Sequence, residues 1–550
     1  MPAPDTLDDT HEPAHSPDTS NSDMTQQSGS DSSSDSNPDS SSDSVSKSGS
    51  DKGSDKGSNS DAERDLTQGA VWKTLAIVAG PMVFGIAAVL SVSLVDTLFV
   101  GRLGPDQLAA LSFAFPVTTV VSGLALGLGA AAASVVSRKK GEDDAEGARR
   151  MSLHAMLLAL LVVGAISLAG ALLAGPLFEL LGASEDTLDM IVSYMRVWFI
   201  SMPFLALTMQ ADSIVRAVGN SVWPSIVMST GSAINIAATA VLVFGLLGLP
   251  ELGIVGAAAG TLFAQVVTVF GSFWLITYHT RMIDWHWPGL SKLLPNWADI
   301  GRVAGPAALG SMVNPFSITV LTALLAGFSE AAVASFGVAN QVESVATIPL
   351  LALSAAMAPI AGQCWGADNV GRIRKTLWWG YGISVVWAAV AAAVLWVYGE
   401  AVAGLFTEEE EIAEATRTYL RIVPWSLFGF GMLITAAAAF NGIDRALHGL
   451  GYYVVRAGVL LVPMAFLGAQ LAEEAGVYAA IAAANVVGGL AVAAYALYWL
   501  RKNADKAAED REEDGQADGG GEGEPDDEVS SATPRRGSRT GQDYGFQSAE

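Results

Sequence analysis

Apolar residues dominate the chain in long runs separated by short polar breaks, at 72–100, 107–136, 152–174, 188–215, 221–247, 253–279, 299–326, 331–361, 376–398, 412–440, 450–470 and 476–500. A helix needs roughly 20 residues, rising about 1.5 Å each, to cover about 30 Å of hydrocarbon. Each run is long enough to cross, and lone strands in lipid would leave their backbone groups unpaired. The pattern predicts an all-α membrane protein with twelve transmembrane helices. Prolines inside the runs, Pro81, Pro116, Pro203, Pro349, Pro359 and Pro463, predict kinks. Trp72, Trp198, Trp378, Trp379 and Trp499 fall near the expected interfaces, where amphipathic rings anchor helices.

The polar breaks set the orientation. With the N-terminus inside, the inside loops hold thirteen Lys and Arg, among them Arg138, Lys139, Lys140, Arg372 and Arg374, and the outside loops hold Arg102 alone. Basic residues are retained on the cytoplasmic side, so the asymmetry supports both the helix count and cytoplasmic termini. The expected location is the cell (inner or plasma) membrane. Residues 1–65 and 503–550, rich in acidic and small polar residues, read as disordered cytoplasmic tails. Residues 70–280 and 299–500 read as N- and C-terminal lobes of six helices each, joined by a cytoplasmic linker at 281–298.

The net charge of −25 is concentrated at the two ends, where residues 1–65 and 501–550 hold 29 acids against 11 bases. Acid-rich, lysine-poor solvated segments suit a cytoplasm of very high salt, where like charges are screened. This points to a halophilic archaeon as the source. Such tails exclude nucleic acid as a partner. The single cysteine, Cys364, excludes an intrachain disulfide, and the six scattered histidines offer no zinc spacing. The glycine-rich run Gly123–Gly129 lies inside an apolar helix and reads as helix packing, and no Walker lysine motif is present. No catalytic residues and no cofactor are expected; an integral-membrane enzyme such as a polyprenyl transferase would need loop aspartates for magnesium, and Glu142, Asp143 and Asp144 lie among bases.

The chain also repeats itself. At an offset of 225, residues 103–150 align without a gap on the second half, with twelve of 48 positions identical, including Gly141 with Gly366, Asp143 with Asp368 and Arg149 with Arg374. Six helices per half is even, so the halves keep one orientation and are related by an axis along the membrane normal. Parallel repeats of this kind build transporters with a cavity between two rocking lobes.

Several stretches resemble one family. Val95-Asp96-Thr97-Leu98-Phe99-Val100-Gly101-Arg102-Leu103-Gly104, then Ile214 to Asn220 with Pro224, Asn235-Ile236, Gly253 to Thr261, and Ala361-Gly362-Gln363-Cys364-Trp365-Gly366-Ala367 are similar in order and spacing to multidrug and toxic compound extrusion (MATE) transporters. The resemblance spans residues 70–500 and implies export of organic cations or other amphipathic compounds, driven by inward Na+ or H+ flow through a monomer. A lipid-linked precursor or polysaccharide flippase of the wider superfamily is the alternative. Family members often carry a second aspartate four residues after the asparagine of the fifth helix; Thr239 stands there instead.

The candidate coupling residues are Asp96, Asn235, Thr239 and Thr261. A carboxylate within a helix is costly in lipid unless paired, protonated or wetted, and the nearest base on its helix, Arg102, points away. The repeat pairs Asp96 with Leu321, so the scaffold does not require the acid. Counted from the outer ends of their helices, all four residues sit roughly 9–18 Å deep. Oxygen ligands with one negative charge suit Na+, with Asp96, Asn235 and Thr261 as possible ligands, and the same carboxylate could instead carry a proton. Interhelical hydrogen bonding is the bland alternative for the three neutral residues. Glu343, about 18 Å into the eighth helix, reads either as a substrate or second proton site, or as a partner of a base such as Arg456. Asp212 with Arg216, and Asp444 with Arg445, read as structural or gating pairs.

Overall fold

The structure, a computed structural model, describes residues 64–183, 185–283, 290–407 and 409–519, all within one unit, Gly57–Glu550. Fifteen α-helices follow in order: α1 Val71–Leu103, α2 Pro105–Gly141, α3 Ala145–Leu172, α4 Ala174–Leu180, α5 Glu185–Ala217, α6 Val222–Val243, α7 Gly253–Trp274, α8 Leu290–Leu325, α9 Glu330–Ala346, α10 Ile348–Gly366, α11 Val370–Gly404, α12 Glu410–Ile422, α13 Leu427–Gly442, α14 Ala446–Val454 and α15 Val462–Gly519. There is no strand among the described residues. The N-terminal tail up to residue 63 and the linker centre at 284–289 lie outside the described residues. At the other end α15 runs on to Gly519, past the tail boundary expected at 503.

Among the described residues, eleven helical stretches are long and apolar enough to cross a membrane. The last, Ala446–Asp505, has 60 residues, about three bilayer widths if straight. It is not straight: Ala472 and Glu473 leave helical geometry, with Glu473 at φ 49°. The chain folds back there so closely that a Cβ on Gly468 would lie 2.2 Å from the Gly476 carbonyl oxygen. The stretch therefore crosses twice, giving the twelve spans expected. Thr347 divides the eighth span into α9 and α10, and Pro349 sits in the first turn of α10 rather than inside a helix. Trp72, Trp378 and Trp379 are exposed, whereas Trp198 is buried in the N-lobe core and Trp499 stacks on Trp365. The last two are packing residues rather than interface anchors.

The repeat survives in backbone detail. Asp143 and Asp368, both at positive φ, end the turns after α2 and α10. One residue on, Asp144 accepts from the Gly147 amide at the start of α3, and Asn369 accepts from the Arg372 amide at the start of α11. Gly219 and Asp444, again 225 apart, both take left-handed conformations. The lobes meet across this symmetry. A Cβ on Gly141 would lie 2.1 Å from the Gln363 carbonyl oxygen, and one on Gly366 would lie 2.1 Å from that of Arg138. These contacts exchange under the same offset, so α2 and α10 cross about the repeat axis with backbone against backbone. Only glycine permits that approach.

This closure lies at the end that carries the basic loops. Arg138 pairs with Asp444 across the lobes at 3.1 Å, and the Ser134 hydroxyl donates to the Gly442 carbonyl at 3.2 Å. The segment before α1 is threaded into the same seam. Leu66, 2 % exposed, has its amide bound to Gln363 Oε1 at 2.9 Å, and the Gln363 amide nitrogen donates to the Ala217 carbonyl at 2.7 Å. Arg372 fastens it by donating to the carbonyls of Leu66, Gln68 and Gly69 at 2.6–2.9 Å. Arg64 donates its amide to Val218 of the N-lobe at 3.0 Å. One strap thus binds both lobes where they close.

Candidate functional site

The four residues singled out in the N-lobe converge. Asp96 on α1 is half-buried, Asn235 and Thr239 lie on one face of α6 with 5 % and 0 % exposure, and Thr261 comes from α7. Small residues permit the approach: a Cβ on Gly260 would lie 2.6 Å from Thr239 Oγ1, and one on Gly256 would meet the Leu242 carbonyl oxygen at 2.6 Å. The Thr239 hydroxyl donates to Asn235 Oδ1 at 3.2 Å, and Asn235 Nδ2 donates to Thr261 Oγ1 at 3.3 Å. The interhelical bonding foreseen as an alternative is therefore present, and it orders the oxygens. Thr239 also lies beside the Asp96 carboxylate, and Tyr194 of α5 is within electrostatic reach. Asp96 Oδ1 is buried with no hydrogen-bond partner among the described residues.

Glu343 has a different setting. It lines a cavity of about 190 Å³ together with Arg456, Tyr419, Asn314 and Phe430, and Leu90 of α1 closes the N-lobe side. The Tyr419 hydroxyl donates to Glu343 Oε2. Arg456, foreseen as a partner, acts on Glu343 through its field rather than by contact. The guanidinium lies 5.1 Å from the Phe430 ring, donates from Nε to Asn485 Oδ1 at 2.8 Å and from Nη1 to Asn314 Oδ1 at 3.3 Å. Asn485 is held by donating to Ser426 Oγ at 3.0 Å. Tyr419, Asn314 and Asn485 were not picked from the sequence; Tyr419 was findable, because it lies 225 residues after Tyr194.

Neither expected local pair is in direct contact, although Asp212 and Arg216 act on each other electrostatically. Asp444 binds Arg138 of the opposite lobe instead of its neighbour Arg445. Asp212, 4 % exposed, accepts from Ser272 Oγ at 3.5 Å, while Arg216 Nη2 donates to Ser213 Oγ at 2.8 Å. Among the described residues no group of three or more His, Cys, Asp or Glu could hold a metal ion.

Twelve spans in two like-oriented lobes, with buried polar groups inside the bundle and a cavity in the C-lobe that Leu90 of the N-lobe closes, define a membrane transporter. The MatE family model matches it twice, over residues 81–241 and 306–467, starting 225 residues apart, so the chain belongs to the MATE family. It is 31% identical over 426 residues to a FAD transporter of Shewanella oneidensis, covering 78% of this chain and 94% of that one. The multidrug export protein MepA of Staphylococcus aureus is 25% identical, covering 72% of this chain and 87% of its own. Among solved structures, the Vibrio cholerae MATE transporter VcmN in its bent form aligns with a TM-score of 0.74 at 28% identity, covering 79% of this chain and 98% of that one. A MOP superfamily transporter from Pyrococcus furiosus, described by a binding pocket of reversed polarity that suggests a different function, aligns with a TM-score of 0.73 at 25% identity, covering 80% of this chain and 97% of that one.

Proposed function

We propose that this chain is a secondary active antiporter that exports amphipathic compounds in exchange for Na+ or H+ by alternating access, as a monomer in the plasma membrane with both termini cytoplasmic. The observation that carries the reading is Asp96: a half-buried carboxylate with one orphaned oxygen, beside the Thr239 hydroxyl that hydrogen bonds link to Asn235 and through it to Thr261. Retaining such a group inside a bundle needs a compensating partner that comes and goes. A monovalent cation supplies it. Asp96 Oδ1, Asn235 Oδ1 and the hydroxyl oxygens of Thr239 and Thr261 are hard ligands with one net negative charge, which Na+ neutralises and a proton on Asp96 neutralises equally.

Coupling follows from the position of the site. Asp96 is on α1, which also packs on α10 of the other lobe and begins at the Arg372-bound strap. A cation that draws α1 toward α6 and α7 changes how α1 bears on the C-lobe. It drives transport only as far as its affinity differs between the two lobe arrangements. The export direction is supported by the multidrug names of several relatives.

The test is efflux of a fluorescent amphipathic compound from proteoliposomes under an imposed Na+ or H+ gradient, comparing the native chain with Asp96→Asn. Gradient-driven efflux should fall by about 100-fold, near the background of empty vesicles, which corresponds to about 2.7 kcal/mol of lost coupling. The gradient that works names the ion. Undiminished gradient-driven efflux in the mutant would remove Asp96 from coupling, and transport under neither gradient in folded protein would favour the flippase.

A further inference from the structure

We propose that the C-lobe cavity recognises an oxyanion, a carboxylate or phosphate borne on an apolar or aromatic body, and that Arg456 is the residue that binds it. The inference rests on the transporter reading above only for the purpose of binding; the recognition itself is argued from the cavity.

Arg456 is 6 % exposed in the middle of the bundle. A cation so placed ordinarily touches a counter-ion, since leaving a buried charge uncompensated costs several kcal/mol by general experience with buried ions. Here its hydrogen-bond partners are neutral, and Glu343 reaches it only through its field, without contact. Asn485 and Asn314 accept from Nε and Nη1, and the face of Phe430 lies against the plane. Nη2 has no hydrogen-bond partner among the described residues, and the residue lines the cavity. Two amides and a ring thus orient the guanidinium without neutralising it, with an edge left for a planar, bidentate acceptor.

Glu343 is the other charge on this cavity, and it is already served: the Tyr419 hydroxyl donates to it, and Tyr419 is itself packed against Tyr478 and Phe336. The acid therefore has a donor in place, while the base has donors to spare. Asn340, which also lines the cavity, offers a further amide to an oxyanion, and Leu321 and Ile481 offer an apolar surface to the body that carries it. The backbone at Arg456 is unusual too. It lies in a π-helical turn, Val455–Leu461, whose extra residue per turn takes a side chain out of the regular α register. At the offset of 225 the N-lobe has Gly231 in place of Arg456, so the fold does not demand this group.

The test is equilibrium binding to the purified full chain in nanodiscs of phosphatidylcholine alone, read by fluorescence anisotropy. The probes are naphthalene fluorophores that carry a carboxylate, a phosphate ester or a trimethylammonium group. No ion gradient is needed, so a failure of coupling at Asp96 leaves this readout intact. Expected are at least tenfold tighter binding of the two oxyanion probes than of the ammonium probe, loss of that preference in Arg456→Gln, partial retention in Arg456→Lys, and tighter oxyanion binding in Glu343→Gln. If Arg456→Gln does not fold, the Lys and Glu343→Gln variants carry the test. Adding phosphatidylglycerol separates the sources: Arg456-dependent competition marks a lipid headgroup as the oxyanion, and its absence marks a soluble one. Equal affinity for the anionic and cationic probes, or undiminished oxyanion binding in folded Arg456→Gln, would overturn the proposal.

Discussion

The two lobes share a backbone and differ in what they bury. Turns, caps and positive-φ positions recur at a fixed offset, yet Asp96, Asn235 and Thr239 of the N-lobe stand where the C-lobe has Leu321, Leu460 and Met464. Conversely, Asn314 and Arg456 of the C-lobe stand where the N-lobe has Val89 and Gly231. One feature recurs in both, a tyrosine beside the acid: Tyr194 near Asp96 and Tyr419 on Glu343. Since each half folds with an apolar residue or glycine at the other's polar positions, these groups are additions to the scaffold. Their cost in lipid needs a functional reason, and the reasons differ. A carboxylate among close-packed neutral oxygens has room and charge for a small cation. An acid and a base placed around a cavity have room for a larger solute.

The sharpest way to break this contrast is to move a C-lobe residue into the N-lobe. Gly260→Asn puts an amide side chain, the kind Asn485 supplies in the C-lobe, where a Cβ would already lie 2.7 Å from the Thr239 backbone nitrogen. Helices α6 and α7 must separate, at about 1–3 kcal/mol for overpacking, and Thr261 leaves Asn235. A lowered Tm in detergent with loss of gradient-driven efflux is expected; an unchanged Tm would show that the crossing of α6 and α7 does not fix the oxygens.

A smaller effect is expected at the strap, which is also asymmetric, since Gly147 occupies the N-lobe position equivalent to Arg372. Arg372→Ala removes the donors to the Leu66, Gln68 and Gly69 carbonyls. The chain supplies its own reporter: Cys364, its single cysteine, is buried with Sγ 4.0 Å from the Leu66 carbonyl oxygen. Loosening the strap by about 1.4 kcal/mol should raise maleimide labelling of Cys364 about tenfold. An unaltered labelling rate would mean that the lobes, not the strap, cover the thiol.

What the sequence disclosed follows from how local each signal is. Span number and the like orientation of the halves were legible, because apolar run length and a gapless repeat are one-dimensional properties. The N-lobe cluster was legible because Asp96 is isolated on its helix, and depth counting puts the four residues in one layer. The C-lobe constellation was not. Tyr419 precedes a break at Val423–Ser426, Arg456 is re-aimed by its π-helical turn, and Asn314 and Asn485 lie 171 residues apart, so only the packing of four elements makes them neighbours. The pairing of Asp444 with Arg138 was hidden for the same reason: adjacency in sequence favoured Arg445, and the contact crosses the lobe interface.

The finest discrimination lies in the two equivalent tyrosines. If the lobes treated their acids alike, Tyr194→Phe and Tyr419→Phe would cost the same. The structure gives Tyr419 a hydrogen bond to Glu343 and shows Tyr194 only near Asp96, whose Oδ1 remains unbonded. Removing the Tyr419 hydroxyl leaves a buried carboxylate short of a donor, at about 1–3 kcal/mol, whereas removing that of Tyr194 forfeits no bond to the acid and should stay within about 0.5 kcal/mol. Thermal unfolding of the two variants measures the difference. Unequal costs, with Tyr419→Phe the larger, fit a C-lobe acid held in place and an N-lobe acid left available to a mobile cation. Equal costs would mean that Tyr194 turns to Asp96 as Tyr419 does to Glu343, and the N-lobe carboxylate would then have a resident partner and less need of a travelling one.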